Sequence, residues 1–331
     1  MIGMTRRWMV AGLACGLLAA AAARAAEPAP PPPEALRAVV QLRVTVPAEA
    51  RSAATLGRER EGNGVVIDSA GLIVTIGYLI MEASGIEIVA DGKPVPGTVV
   101  AYDHQTGFGL VRATQPLGVK PLPLGSAAHL GERAAAIAAP YGGIDTAQPV
   151  MVVSKRRFAG YWEYMVDQAI FTTPPIAEFG GAALIDLDGK LVGIGSLFVG
   201  DASAEPRYPG NMFVPIDLLK PILGDLLALG RSGAPAHPWL GIITQEAHGH
   251  LFIAKVSPEA PAERAGLKAG DVIVAIGDTP VDSLPELYDA IWALGAAGVD
   301  VPVTVVRHAD KTRITVKSID RLSFLKTGIT Y

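Results

Sequence analysis

Nucleophilic hydrolysis needs a hydroxyl or thiol, a base within reach and a group that orients the base. Asp103, His104 and a serine such as Ser196 would supply the three types, but nothing in their spacing brings them together. His104 reads instead as a solvated turn residue beside Asp103. His248-Gly249-His250 offers two imidazoles, whereas zinc sites use three or four protein ligands, so the segment reads as a polar loop. Asp186-Leu187-Asp188 lies in a turn and lacks the ligand spacing of a calcium loop. The single cysteine, Cys15, falls in an N-terminal apolar run, so it offers no nucleophile or thiolate ligand to a folded domain. No metal and no cofactor is expected.

The elements that would position any site are short and numerous. Of 331 residues, 50% are hydrophobic and 18% charged, with 37 glycines, 26 prolines and only 6% aromatics. That balance excludes disordered, collagen-like and coiled-coil chains and favours strands joined by tight turns. Arg6 and Arg7, the apolar residues 8–23 and the small-residue site Ala23-Arg24-Ala25 read as an export signal over 1–25, cut before Ala26. Thr5-Arg6-Arg7 leaves twin-arginine export open beside the general route. Loss of three arginines and no acid takes the formal charge from −4 to −7, which argues against nucleic acid as a partner.

A proline-rich leader over 26–36 reads as an extended spacer. Residues 39–46 alternate apolar and polar like a half-buried strand, 51–63 read as a polar, mobile loop, and 64–75 as a hairpin turning at Ser69-Ala70-Gly71. Further strands are expected near 86–89, 98–101, 108–112, 134–138, 149–154, 182–185 and 191–195. Asp217 could cap a helix ending at Gly230. The linker 230–238 leads to a compact unit with strands near 251–256, 272–276, 301–307 and 313–317. Its helix over 284–294 puts Leu287, Ile291 and Leu294 on one face.

This last unit, 239–320, resembles a PDZ domain of the bacterial HtrA/DegP/DegS type, followed by a tail over 321–331. Trp239-Leu240-Gly241-Ile242 looks like that family's carboxylate-binding loop, and the stretches 256–262 and 265–273 match its core. The resemblance implies that backbone N–H groups around 240–242 hold a C-terminal carboxylate while the peptide pairs with the strand near 251–255. Leu287 and Ile291 would line the groove, or serve only as core. The unit 37–229 resembles the family's trypsin-like protease domain through Gly62-Asn63-Gly64-Val65-Val66-Ile67, Leu124-Gly125-Ser126 and Pro140-Tyr141-Gly142. The implied fold is mostly β: a trypsin-like double β-barrel followed by a PDZ domain.

The resemblance places Tyr78 at the family's histidine, Gly107 at its aspartate and Gly180 at its serine, with Gly181 as the alternative register. No histidine precedes His104, and no serine occurs between Ser154 and Ser196. A phenol, with an ordinary pKa near 10, is a poor base at neutral pH, and Glu178 would set a carboxylate where an oxyanion should be stabilised. Tyr78 and Phe179 could fill the vacated space. The expectation is a periplasmic, catalytically inactive pseudoprotease that binds protein C-termini or unfolded polypeptide through Trp239, Leu240, Gly241, Ile242, Leu287 and Ile291. Its expected work is that of a chaperone, adaptor or regulator, with a homotrimer or an active HtrA-type protease as possible partner. The rival expectations are a divergent serine endopeptidase and a structural subunit that modulates an active protease.

Overall fold

The computed structural model describes residues 33–203 and 206–325, so the export signal and most of the leader lie outside the described residues. Strands β1 (Val39–Thr45), β2 (Glu59–Val66), β3 (Leu72–Ile76), β4 (Gly85–Ala90), β5 (Lys93–Tyr102) and β6 (Phe108–Ala113) close a barrel in the order β1-β2-β3-β6-β5-β4. A second barrel is built from β7 (Ala135–Ala139), β8 (Gln148–Gly160), β9 (Tyr164–Thr173), β10 (Ala183–Ile185), β11 (Leu191–Ser203) and β12 (Tyr208–Pro215). It closes in the order β10-β11-β12-β9-β8-β7. Alternation drives this: in β1 the even positions 40, 42 and 44 are buried while Arg43 and Thr45 face solvent.

The C-terminal unit is a sheet of β13 (Ile242–Ala247), β14 (His250–Val256), β15 (Val272–Ile276), β17 (Asp300–Arg307) and β18 (Asp310–Lys317), in that order. The two-residue β16 (Thr279–Pro280) is paired to β15. The helix Leu284–Trp292 packs over the sheet with Leu287, Tyr288 and Ile291 buried. A Trp239–Ile319 bridge ties the start of the unit to its end, and Trp239 also lies on the ring of Phe324.

Four sequence expectations are corrected. The end of the leader is no extended spacer: Pro33–Leu36 is a helical turn, and Leu36 is buried. The polar run 51–63 is no mobile loop but a helical turn, Ala53–Leu56, followed by β2 paired along the whole of β1. Arg60 explains how so polar a run enters the fold: its buried guanidinium donates to the carbonyls of Gly57, Tyr78 and Met81 and to the Ser52 hydroxyl. Asp217 caps no long helix, since Pro221 interrupts the segment and the helix runs only over Leu223–Leu229. The Asp217 carboxylate instead accepts from the amide of Ala127. Finally, β14 is paired on both sides, by β13 and β15, so the free edge available to a peptide is β13.

Candidate functional site

Tyr78 stands on the short helix Gly77–Ile80 that follows β3, and Gly107 ends the turn between β5 and β6. The two are brought together when the amide of Gly77 donates to the Gly107 carbonyl at 2.7 Å. Gly180 comes in from the loop before β10. A Cβ placed on it would lie 2.9 Å from the Tyr78 hydroxyl, which itself donates to the carbonyl of Ser196 at 2.9 Å. The three positions assigned by resemblance therefore do converge, around a phenol that is already satisfied. Burial pushes the Tyr78 pKa upward, far from that of a useful base.

Asn63 fixes this loop in place. Its amide and its side chain both donate to the carbonyl of Gly180, the side chain also to that of Glu178, while its Oδ1 accepts from the Tyr141 amide. Thr75 Oγ1 donates to the Asn63 carbonyl at 2.6 Å. The alternative register is closed sterically: at Gly181, φ is +77° and a Cβ would fall 1.9 Å from the Asn63 oxygen. Glu178 points to solvent and Phe179 packs against the core of the second barrel, so of the two aromatics expected in the old cleft it is Tyr78 that stands there.

His104 is not solvated. Its ring packs edge-on to Tyr102 with centroids 4.2 Å apart, and among the described residues neither nitrogen has a hydrogen-bond partner. Burial, and to a lesser degree Arg321, hold its pKa well below the ordinary value. Asp103 meanwhile accepts from the amide and hydroxyl of Thr106. The Asp103–His104 pair is therefore not wired as a catalytic couple.

The second site is the loop before β13. The amides of Leu240, Gly241 and Ile242 converge on one carboxylate, that of Glu163, at 2.8, 2.8 and 3.0 Å. Glu163 lies at the tip of the β8–β9 hairpin, which extends from the second barrel into the groove between β13 and the helix Leu284–Trp292. There the Thr244 amide donates to the Tyr161 carbonyl at 2.9 Å. The Tyr288 hydroxyl donates to the Gly160 carbonyl at 2.6 Å and accepts from the Glu163 amide at 3.1 Å. Burial raises the Glu163 pKa to about 7, against the three amides and the charge of Arg321, which pull it down.

Comparison with known proteins matches both domains. Residues 62–194 match the family described as trypsin-like peptidase domain, and residues 238–318 match the PDZ domain family. The chain combines a trypsin-like peptidase domain with a PDZ domain. It is 28% identical over 264 residues to the serine endoprotease DegS of Haemophilus influenzae, covering 77% of this chain and 76% of that one. It is 27% identical over 264 residues to the putative serine protease HhoA of Synechocystis sp., covering 71% and 64%. A probable periplasmic serine endoprotease DegP-like of Halomonas elongata matches at 26% over 281 residues, covering 78% and 56%. The chain thus spans little more than half the length of several curated relatives. Among solved structures, the HtrA-type protease AlgW with decapeptide superposes with a TM-score of 0.53 at 18% identity, covering 87% of this chain and 97% of that one. The serine endoprotease from Yersinia pestis gives 0.51 at 21%, covering 88% and 99%.

Within the PDZ domain the residues singled out from sequence divide in two. Leu240, Gly241 and Ile242 supply the carboxylate-binding amides. Trp239 does not: its amide donates to Ile319 and its ring packs on Phe324. Leu287 and Ile291 are core, 0% and 1% exposed, and the helix side chain bonded to the groove's occupant is Tyr288. Tyr288 and Thr244 escape a sequence reading because the helical pattern marks apolar positions, while their role rests on one hydroxyl and one edge-strand amide.

Proposed function

We propose that this protein is an exported, non-proteolytic peptide-binding protein of HtrA type. It would recognise protein C-termini or unfolded segments through its PDZ domain, as a chaperone, adaptor or regulator in protein quality control. The observation that carries this reading is the contact at the nucleophile position: Gly180 has no hydroxyl, and the Tyr78 phenol occupies the approach to it. A serine protease needs an activated hydroxyl beside a base, and neither is present in the sequence at these positions. The three convergent amides of the PDZ loop support carboxylate recognition. The periplasmic names among the relatives, together with the N-terminal apolar run, support export.

The test is a pair of assays on residues 26–331. Incubation with casein is expected to give no fragments over many hours. Fluorescent peptides with a free C-terminal carboxylate are expected to bind, and their amidated counterparts to bind more weakly. Reproducible casein cleavage by the purified chain would overturn the non-proteolytic reading, and equal indifference to both peptide sets would overturn the recognition of C-termini.

A further inference from the structure

Nothing in a carboxylate-binding loop requires that its carboxylate come from another molecule. We propose that the PDZ peptide site is closed in cis: the hairpin tip 160–163 is its resident occupant, and an external peptide binds by displacing it. The inference rests on the peptide-binding reading above and says how that site is regulated.

The register of the tip is that of a ligand. The carboxylate of Glu163 takes the three loop amides, and two residues earlier the Tyr161 carbonyl takes the Thr244 amide of the free edge strand. An extended peptide ending in the loop would place its antepenultimate carbonyl at that same amide, since alternate residues of a paired strand face its partner. Tyr288 clasps the tip from the helix side. Ala159 and Met165, flanking the tip on the two strands, pack against the PDZ core, and Arg157 bridges to Asp289 at 2.8 Å.

Two features distinguish a displaceable occupant from permanent cement. Glu163 holds φ at +57°, a conformation that side-chain-bearing residues other than Asn and Asp rarely adopt, so the tip is strained and kept in place by its contacts. The tip also turns away after Tyr161, and between 160–163 and β13 the described backbone hydrogen bonds number one. A true strand lying along β13 would add further main-chain bonds to that free edge. The external ligand thus gains contacts that the resident tip does not make.

Hydrogen exchange and peptide binding on the full mature chain test this together. Glu163→Gly removes the carboxylate while suiting the positive φ, so the turn is retained; Tyr288→Phe, isosteric, serves as a second variant. In both, exchange at the amides of 240–242 and 244 is expected to quicken about tenfold or more as the closed fraction falls. Unchanged exchange in both variants would overturn the proposal. The binding probe is the decapeptide Ser154–Glu163, amidated at its end so that its glutamate side chain is its only carboxylate. It is expected to bind Glu163→Gly about ten- to a hundredfold more tightly than the wild-type chain. Equal, measurable affinities would overturn closure in cis while leaving peptide binding intact. Quickened exchange without binding of the decapeptide to either protein would uphold closure but overturn the resident tip as a peptide-like occupant that an external strand can replace, leaving the recognition of free C-termini to the assay above.

Discussion

The hydroxyl of Tyr164 donates to the carbonyl of Thr106 at 2.9 Å and so occupies the space next to Gly107 that an orienting carboxylate would need. A Cβ on Gly107 would lie 2.7 Å from that hydroxyl oxygen, at a φ of +83°. Gly107→Asp should therefore destabilise the barrel pair by about 1–3 kcal/mol, seen as a lowered thermal midpoint. Combined with Tyr78→His and Gly180→Ser it should still give no casein cleavage, because the carboxylate cannot settle where Tyr164 sits.

Tyr78 holds its own position by one hydrogen bond and by packing. Tyr78→Phe should cost about 1 kcal/mol through loss of the bond to Ser196. Tyr78→Ala should cost about 2–4 kcal/mol, since it also empties the old cleft. Urea denaturation of the two variants separates the terms, and a neutral Tyr78→Phe would mean that water replaces the lost donor.

Docking of the hairpin tip should depend on pH. Burial raises the Glu163 pKa to about 7 when docked, whereas a released glutamate titrates near 4.5. The docked state therefore favours the protonated form: closure is fully stabilised below about 4.5, weakens as pH rises to about 7, and is level above that. Peptide affinity should climb by up to about two orders of magnitude across that window in the wild-type chain. In Glu163→Gly that component should vanish. The groups around Glu163 are Tyr288 and the lining of a cavity of about 70 Å³ at the domain junction, with Asp103, His104, Arg231, His237, Asp320 and Arg321. Burial lowers both histidines from their ordinary value; they are present in the wild-type and Glu163→Gly chains alike, so the component due to Glu163 is read from the difference between the two. Fluorescence anisotropy from pH 4 to 8 on both proteins checks this, the difference between them cancelling titration of the probe itself.

The PDZ domain pairs a buried acid with a partly exposed arginine. Asp271, 1% exposed at its side chain, accepts from Arg307 Nε at 2.6 Å and Nη2 at 2.7 Å, and from the Lys268 amide. Burial would raise its pKa, but these bonds outweigh burial and hold it below the ordinary carboxylate value. Its contribution is therefore present at neutral pH and is lost as pH falls through the acid range. Asp271→Asn should destabilise the PDZ domain by about 1–3 kcal/mol through loss of the charge-assisted bonds from Arg307, whose own charge remains open to water. Differential scanning calorimetry at pH 7 should show the lower transition.

The motif Ala-Gly-Asp at 269–271 was legible because it lies in a stretch that resembles the PDZ family's core, whereas its ion pair with Arg307, 36 residues on, was not. The glycine at 180 and the tyrosine at 78 were legible for a different reason, since a missing hydroxyl or imidazole cannot be restored by any packing. Strands β9 and β12 were not read from sequence: β9 carries Asp167 and Gln168 in mid-strand, with Gln168 at φ +56°, and the alternation breaks there. Glu163 was invisible for a deeper reason. Its partners lie 77 to 79 residues away, and nothing in a Tyr-Trp-Glu-Tyr run states which amides it will meet.

The β8–β9 hairpin carries its tip on the same chain as the loop that receives it. Such tethering sets an effective concentration in the millimolar range for short connections, and every free peptide competes against that fixed value. A scarce ligand of moderate affinity then leaves the loop filled by Glu163, while an abundant one of the same affinity empties it. The protein would respond to the local abundance of exposed chain ends and not to their mere presence, with a threshold set by the hairpin's own fit.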